Sequence, residues 1–174
     1  MYGQAADFES FSTPNPDLAL WITKNLDFDQ IILEFYDGGE FKHTNTDYFM
    51  FTHMFYLGTA LQSTFCENLR PILEKIDPIS IRRIKANLLT KTLNIIEKTF
   101  HFDMPDTMSE EKLKQWTTSI LYINTNNGYT EFKDDTKVES VANRMITFPG
   151  DIKHRGTSCT DEKMRIVINF NYFK

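Results

Sequence analysis

His101-Phe102-Asp103 sets an imidazole and a carboxylate two residues apart. On an extended chain residues i and i+2 share a face, so both side chains can converge on one ion while Phe100 and Phe102 turn into the core. A third ligand has to come from elsewhere, and His154 is the candidate: it follows the turn residues Pro149-Gly150-Asp151 and precedes Gly156. Two histidines and a carboxylate cover one face of an octahedron and leave three positions open. That suits an Fe(II) ion that must hold both an organic co-substrate and O2. Zinc also accepts a set of two histidines and one carboxylate and would use it for hydrolysis. Neither His43 nor His53 has a carboxylate pattern around it, and both read as surface or structural residues.

Arg165 favours the first chemistry. Its planar guanidinium can grip a carboxylate through two parallel hydrogen bonds. A dicarboxylic co-substrate that chelates a metal through its oxoacid end would present its far carboxylate for that grip, whereas zinc hydrolysis has no use for it. Read alone, Arg165 is a surface salt-bridge residue. The alternation around it is informative: Ile166, Ile168, Phe170 and Tyr172 fall on one face of a strand, and Arg165, Val167, Asn169 and Asn171 on the other. The second face is either exposed or lines a polar pocket.

The elements that must position these residues are mostly strands. Residues 79–90, 116–124, 129–133, 136–141, 144–148 and 164–173 are rich in β-formers. Asn127-Gly128 predicts a hairpin turn, because both residues tolerate positive φ. Upstream, the composition of the first 16 residues is that of loops and turns. Asp17 can cap a short helix with Leu18, Trp21, Ile22 and Leu26 on one face, and residues 28–36 read as a strand. Leu61, Phe65, Leu69, Ile72, Leu73 and Ile76 recur at helical spacing, and Pro71 kinks that helix or splits it in two. Residues 104–115 are polar and predict a surface loop or short helix, a candidate lid over the metal. Helices first and strands afterwards predict a mainly β (α+β) fold: an antiparallel jelly roll supported by N-terminal helices. One domain spans residues 1–174, with 1–78 as helical and irregular support and 79–174 as the β core.

The composition, 41% hydrophobic and 25% charged, is that of a folded chain. The 15 Phe and 7 Tyr against 7 Gly favour a β-rich core. A net charge of −5 argues against a nucleic-acid partner. The run Arg82, Arg83, Lys85 reads as solvated strand charges. No apolar run is long enough to span a membrane and no secretory pattern opens the chain, so a cytoplasmic location is expected, with Cys66 and Cys159 as free thiols. Oligomeric state is open.

His101-Phe102-Asp103, Ser119-Ile120-Leu121-Tyr122-Ile123-Asn124, Phe148-Pro149-Gly150 with His154, and Arg165-Ile166-Val167-Ile168-Asn169 together resemble the 2-oxoglutarate/Fe(II)-dependent dioxygenases. The likeness is to the prolyl 4-hydroxylase-like branch, and it covers residues 84–173. Residues 124–132 and 138–160 also look like small oxygenases of marine bacteriophages, which would place the protein in a host cytoplasm. The resemblance implies a double-stranded β-helix, with Fe(II) on His101, Asp103 and His154. It implies 2-oxoglutarate held at its distal carboxylate by Arg165, with Tyr122 bonding the co-substrate and Asn169 near the same carboxylate. It further implies O2 as oxidant, ascorbate as a supporting reductant, and hydroxylation of a protein side chain or small molecule with release of succinate and CO2. The chain departs from the family in having Gly128-Tyr129-Thr130-Glu131 where Gly-Gly-x-Thr is common, and in a short N-terminal region. Both leave the substrate open. A cupin-type metal protein needing no co-substrate, and a non-catalytic β-sandwich module, are the alternatives.

Overall fold

The structure, a computed structural model, describes residues 50–105 and 107–174 in full and only the backbone of residues 7–10 and 30–32. Aromatic and β-branched runs form the strands: β1 (Asp7–Ser10), β2 (Gln30–Ile32), β3 (Met50–Leu57), β4 (Ala60–Leu61), β5 (Ser80–Thr90), β6 (Thr117–Tyr122), β7 (Asn126–Phe132), β8 (Lys137–Ser140), β9 (Arg144–Pro149), β10 (His154–Gly156) and β11 (Met164–Phe173). The helical text before β5 is two pieces, a 3-10 turn at Thr64–Leu69 and helix α1 at Arg70–Ile76. Pro71 sits in the first turn of α1, where its missing N–H costs nothing. A single turn, α2 (Glu110–Leu113), occupies the polar segment before β6. The expected helix after Asp17 lies outside the described residues, as does the rest of the 28–36 strand around β2.

The strands divide between two antiparallel sheets. The large sheet runs β1-β9-β6-β11-β5-β3-β2, with β4 paired to β3, and the small sheet runs β10-β7-β8. Residues 97–101 extend the small sheet along β10 through single bridges, Glu97 to Thr157 and His101 to His154. This is the mainly β jelly roll that the strand-rich sequence predicts. Ile120, Tyr122, Phe132, Val138, Ile146, Phe148 and Val167 come from both sheets and pack between them. The opposite face of the large sheet, with Ile84, Ile166, Ile168 and Phe170, packs against Phe55, Leu69 and Ile76. So β11 is buried on both faces. Among the described residues no helix is long and apolar enough to cross a membrane.

Several sequence expectations are corrected. Asp7–Ser10 is a strand paired with β9, not a loop. Asn127-Gly128 makes no hairpin turn: both residues lie within β7 at a register irregularity, and neither is among the positive-φ residues. The glycine is required by close approach. A Cβ there would lie 2.6 Å from Arg165 Cδ and 2.6 Å from the Ser158 carbonyl oxygen. The tight turn of the small sheet comes instead between β7 and β8, where Asp135 adopts φ 65°. Strands β3, β4 and β10 are unanticipated, and Leu61, expected at helical spacing, lies in β4. The segment of His101 is irregular apart from its one bridge, because it is paired at isolated points rather than along a ladder. Phe100 and Phe102 are accordingly half-buried rather than in the core, lying under the Arg155 and Lys133 cations and the Lys153 cation respectively.

Candidate metal centre

His101 and His154 are fixed to each other through the backbone. The His101 N–H donates to the His154 carbonyl at 3.0 Å, and the His154 N–H donates back at 3.1 Å. Their rings lie 4.9 Å apart. Asp103, two residues on, brings its carboxylate to 3.8 Å from His101 Nε2. One ligand atom from each of the three lies within 4.8 Å of the others. Two ligands of one ion at roughly 2.1 Å stand no more than roughly 4.2 Å apart, so the three groups would draw together slightly around a shared ion.

The protonation states suit a cation. His101 Nδ1 lies 3.0 Å from the Thr99 carbonyl, which can only accept. The proton is therefore on Nδ1, and the Nε2 lone pair is left for an ion. Burial pushes the His154 imidazole down to about 4, against the opposing pull of Asp103, so it is neutral at pH 7, as a metal ligand must be. Its Nδ1 is buried and meets no partner at ordinary hydrogen-bond geometry, although the Ile152 backbone lies near enough to favour the protonated ring. Two imidazoles and a carboxylate brought this close form a donor set that fits a divalent metal ion. Burial alone would raise the Asp103 carboxyl, but the neighbouring His154, the Arg83 guanidinium and the Asn171 amide hold it far below the usual carboxylate range.

Arg165 is 2% exposed, which rules out the surface salt bridge. Its Nε donates to Ser140 Oγ at 2.8 Å and its Nη2 to Thr130 Oγ1 at 3.3 Å, with the guanidinium 5.6 Å from the Tyr122 ring centre. Tyr122 is fully buried and donates to the same Thr130 hydroxyl at 2.8 Å. Arg165, Thr130, Asn169 and the three candidate ligands line one cleft. The second face of β11 is thus a pocket wall. Asn169 stands at the metal end, its Nδ2 3.4 Å from Asp103 Oδ2. It lies four residues along the strand from Arg165, about 13 Å at the usual rise, so the structure places it beside the carboxylate ligand and not beside the expected distal carboxylate.

Sequence reasoning missed part of the wall. Arg83 is no solvated charge: it pairs with Asp103 at 3.1 Å. The cleft wall itself includes Lys85, Asn87 and Leu89 but not Arg83, and their i, i+2 alternation was the available signal. His53 is buried against Phe55 and Phe65, a structural position. His43 lies outside the described residues. An ion cluster outside the cleft ties the His101 segment to the small sheet: Arg155 bonds Glu131 at 2.5 Å and Glu97 at 2.6 Å, and Glu97 accepts from Tyr129 at 2.6 Å.

No protein-family model matches the sequence, and no curated protein does. Among solved structures, a prolyl-4-hydroxylase from Pseudomonas putida is similar with a TM-score of 0.53 at 12% identity, over 97% of this chain and 91% of that one. A 2OG-Fe(II) oxygenase family oxidoreductase from Burkholderia pseudomallei gives 0.48 at 11% identity, over 79% of this chain and 70% of that one. An HTH_3 family transcriptional regulator from Vibrio cholerae gives 0.42 at 12% identity over 72% of this chain, which spans only 51% of that protein's length. At 12% identity the likeness to the Pseudomonas putida protein is one of fold alone.

Proposed function

We propose that this protein is a non-haem Fe(II)- and 2-oxoglutarate-dependent oxygenase that hydroxylates an organic substrate. The observation that carries the reading is the convergence of His101, Asp103 and His154 in one cleft with a buried Arg165. The three ligands would hold Fe(II). Bound iron with 2-oxoglutarate supplies O2 activation: substrate C–H, O2 and 2-oxoglutarate become substrate C–OH, succinate and CO2.

The chain's own residues orient and exclude. Arg165 would take the far carboxylate of 2-oxoglutarate, its charge lying in a low-dielectric wall where a paired anion is held strongly. Ser140 and Thr130 aim the guanidinium, and Tyr122 fixes the Thr130 hydroxyl. The reciprocal backbone bonds between His101 and His154 set the spacing of the two imidazoles before any ligand arrives. Both cysteines are buried free thiols, in keeping with a cytoplasmic setting.

The test is succinate formation by purified protein with Fe(II), 2-oxoglutarate, ascorbate and O2, beside a His101→Ala control and a metal-dependent 2-oxoglutarate titration. Succinate and binding that vanish in the control support the reading. If the wild type forms no succinate and binds no 2-oxoglutarate, the fold is serving a module without this chemistry.

A further inference from the structure

Asp103 lies in an irregular segment, with no strand ladder to fix its backbone, yet its side chain is only 5% exposed. Something else has to orient the carboxylate. Three adjacent strands supply it. Arg83 on β5, Asn171 on β11 and Thr118 on β6 stand directly opposite one another in register, at the residue where the β5–β11 ladder shifts. Their side chains therefore share the face that looks toward Asp103.

The hydrogen bonds among them close a ring. Arg83 Nη2 lies 3.1 Å from Asp103 Oδ1, and Arg83 Nε donates to Asn171 Oδ1 at 2.9 Å. A guanidinium only donates, so this bond fixes the orientation of the Asn171 amide. Its Nδ2 then faces the carboxylate, donating to Asp103 Oδ2 at 3.0 Å and to Thr118 Oγ1 at 3.1 Å. Both carboxylate oxygens are held, and Oδ1 is the one that faces His101 Nε2.

We propose that Arg83 is a positioning residue for the metal-binding carboxylate, acting through its ring with Asn171 and Asp103. The inference rests on the metal-centre reading above. It makes a demand that charge alone does not. A lysine keeps the charge but lacks the planar fork that bonds two acceptors at once. Removing the positive charge would by itself tighten the binding of a divalent ion nearby, whereas losing the ring would weaken it. The sign of the effect therefore separates positioning from electrostatics.

The experiment is anaerobic titration with Mn(II) and Co(II), without 2-oxoglutarate, of wild type, Asp103→Ala, Arg83→Met, Arg83→Lys and Asn171→Ala, with the Co(II) visible spectrum and thermal midpoint of each. Arg83→Met, Arg83→Lys and Asn171→Ala should each lose roughly 10–100-fold in metal affinity, the scale set by outer partners of metal ligands. The Co(II) spectrum of Arg83→Lys should shift although its charge is unchanged. Should Arg83→Met fail to fold, Arg83→Lys and Asn171→Ala carry the test. Unchanged or tighter binding in the folded Arg83 variants, or full recovery in Arg83→Lys, overturns the positioning role alone. A wild type that binds neither ion, or binding indifferent to Asp103→Ala, overturns the metal centre and this inference with it.

Discussion

Truncating Arg165 to alanine should weaken 2-oxoglutarate binding far more than it slows the loaded enzyme. Arg165 is 2% exposed and its two described hydrogen bonds go to neutral hydroxyls, Ser140 and Thr130. A carboxylate brought there would form a charge-assisted pair out of water. Removing one partner of a buried charged pair costs about 2–5 kcal/mol. Taking about 3 kcal/mol and 1.4 kcal/mol per decade, the dissociation constant for 2-oxoglutarate should rise roughly 100-fold. The contact is made in the ground state as well as the transition state, so KM should rise while kcat holds. Arg165→Lys should fall between the two, since it keeps the charge and loses the fork. The assay is a calorimetric titration of the Mn(II)-loaded protein, followed by succinate formation against 2-oxoglutarate concentration. Equal affinity in wild type and Arg165→Ala would refute the anchor. A fall in kcat at unchanged KM would place Arg165 elsewhere in the mechanism.

Asp103→Ala should lose iron and turnover together while keeping the wild-type circular dichroism spectrum; stoichiometric iron with turnover in this variant would remove Asp103 from the ligand set. In the presence of chelator, stability should decline with acid below neutrality. The folded His154 stays neutral down to about pH 4, while the unfolded chain takes up that proton near 6.5. The unfolded state thus holds more protons across this window, and stability present above 6.5 is lost as pH falls toward 4, on the order of 3 kcal/mol in all. Urea midpoints at pH 7.5, 5.5 and 4.5 should show this slope in wild type and a flatter one in His154→Phe, and parallel slopes would contradict it. Gly128→Ala forces a Cβ to 2.6 Å from a backbone oxygen and from the Arg165 stem. It should lower the thermal midpoint by roughly 5 °C and weaken 2-oxoglutarate binding. Normal binding at a lowered midpoint would separate the packing defect from the anchor.

The part of this architecture most legible in the sequence is β11. Its bounds, Met164–Phe173, follow from β-forming residues between polar flanks, and its polar second face is a pocket wall because both sheets cover it. The metal set was legible as residue types, but its backbone was not: His101 and Asp103 converge through one bridge to His154, a long-range pairing that no local pattern encodes. Asn127-Gly128 misled for a related reason. Glycine serves turns through positive φ and also close approach through its missing Cβ, and only the neighbouring Arg165 distinguishes the two. Arg83 read as solvated because charge says nothing about register. Opposite Asn171 the same residue faces the site, and a one-residue slip would turn it away.

The two halves of the cleft are built by different means, and this bears on what each can tolerate. Arg165 projects from β11 opposite Leu89, so its placement is inherited from the continuous ladder with β5. The ligand end has no such ladder for His101 and Asp103. It depends on separate links: the His101–His154 bridge, the backbone bonds of Thr92, Ile96 and Lys98 to Cys159, Ser158 and Gly156, the polar row at Asp103, and the Glu97–Arg155–Glu131 ion pairs that tie the approaching segment to β7 and β10. A sheet spreads a local defect over many bonds, whereas a chain of separate links does not. Substitutions along the 91–103 segment and its ties should therefore degrade metal binding before they degrade the fold, while substitutions under β11 should do the reverse. A site preassembled in this way keeps its anchor rigid and leaves the metal end adjustable by a few named contacts.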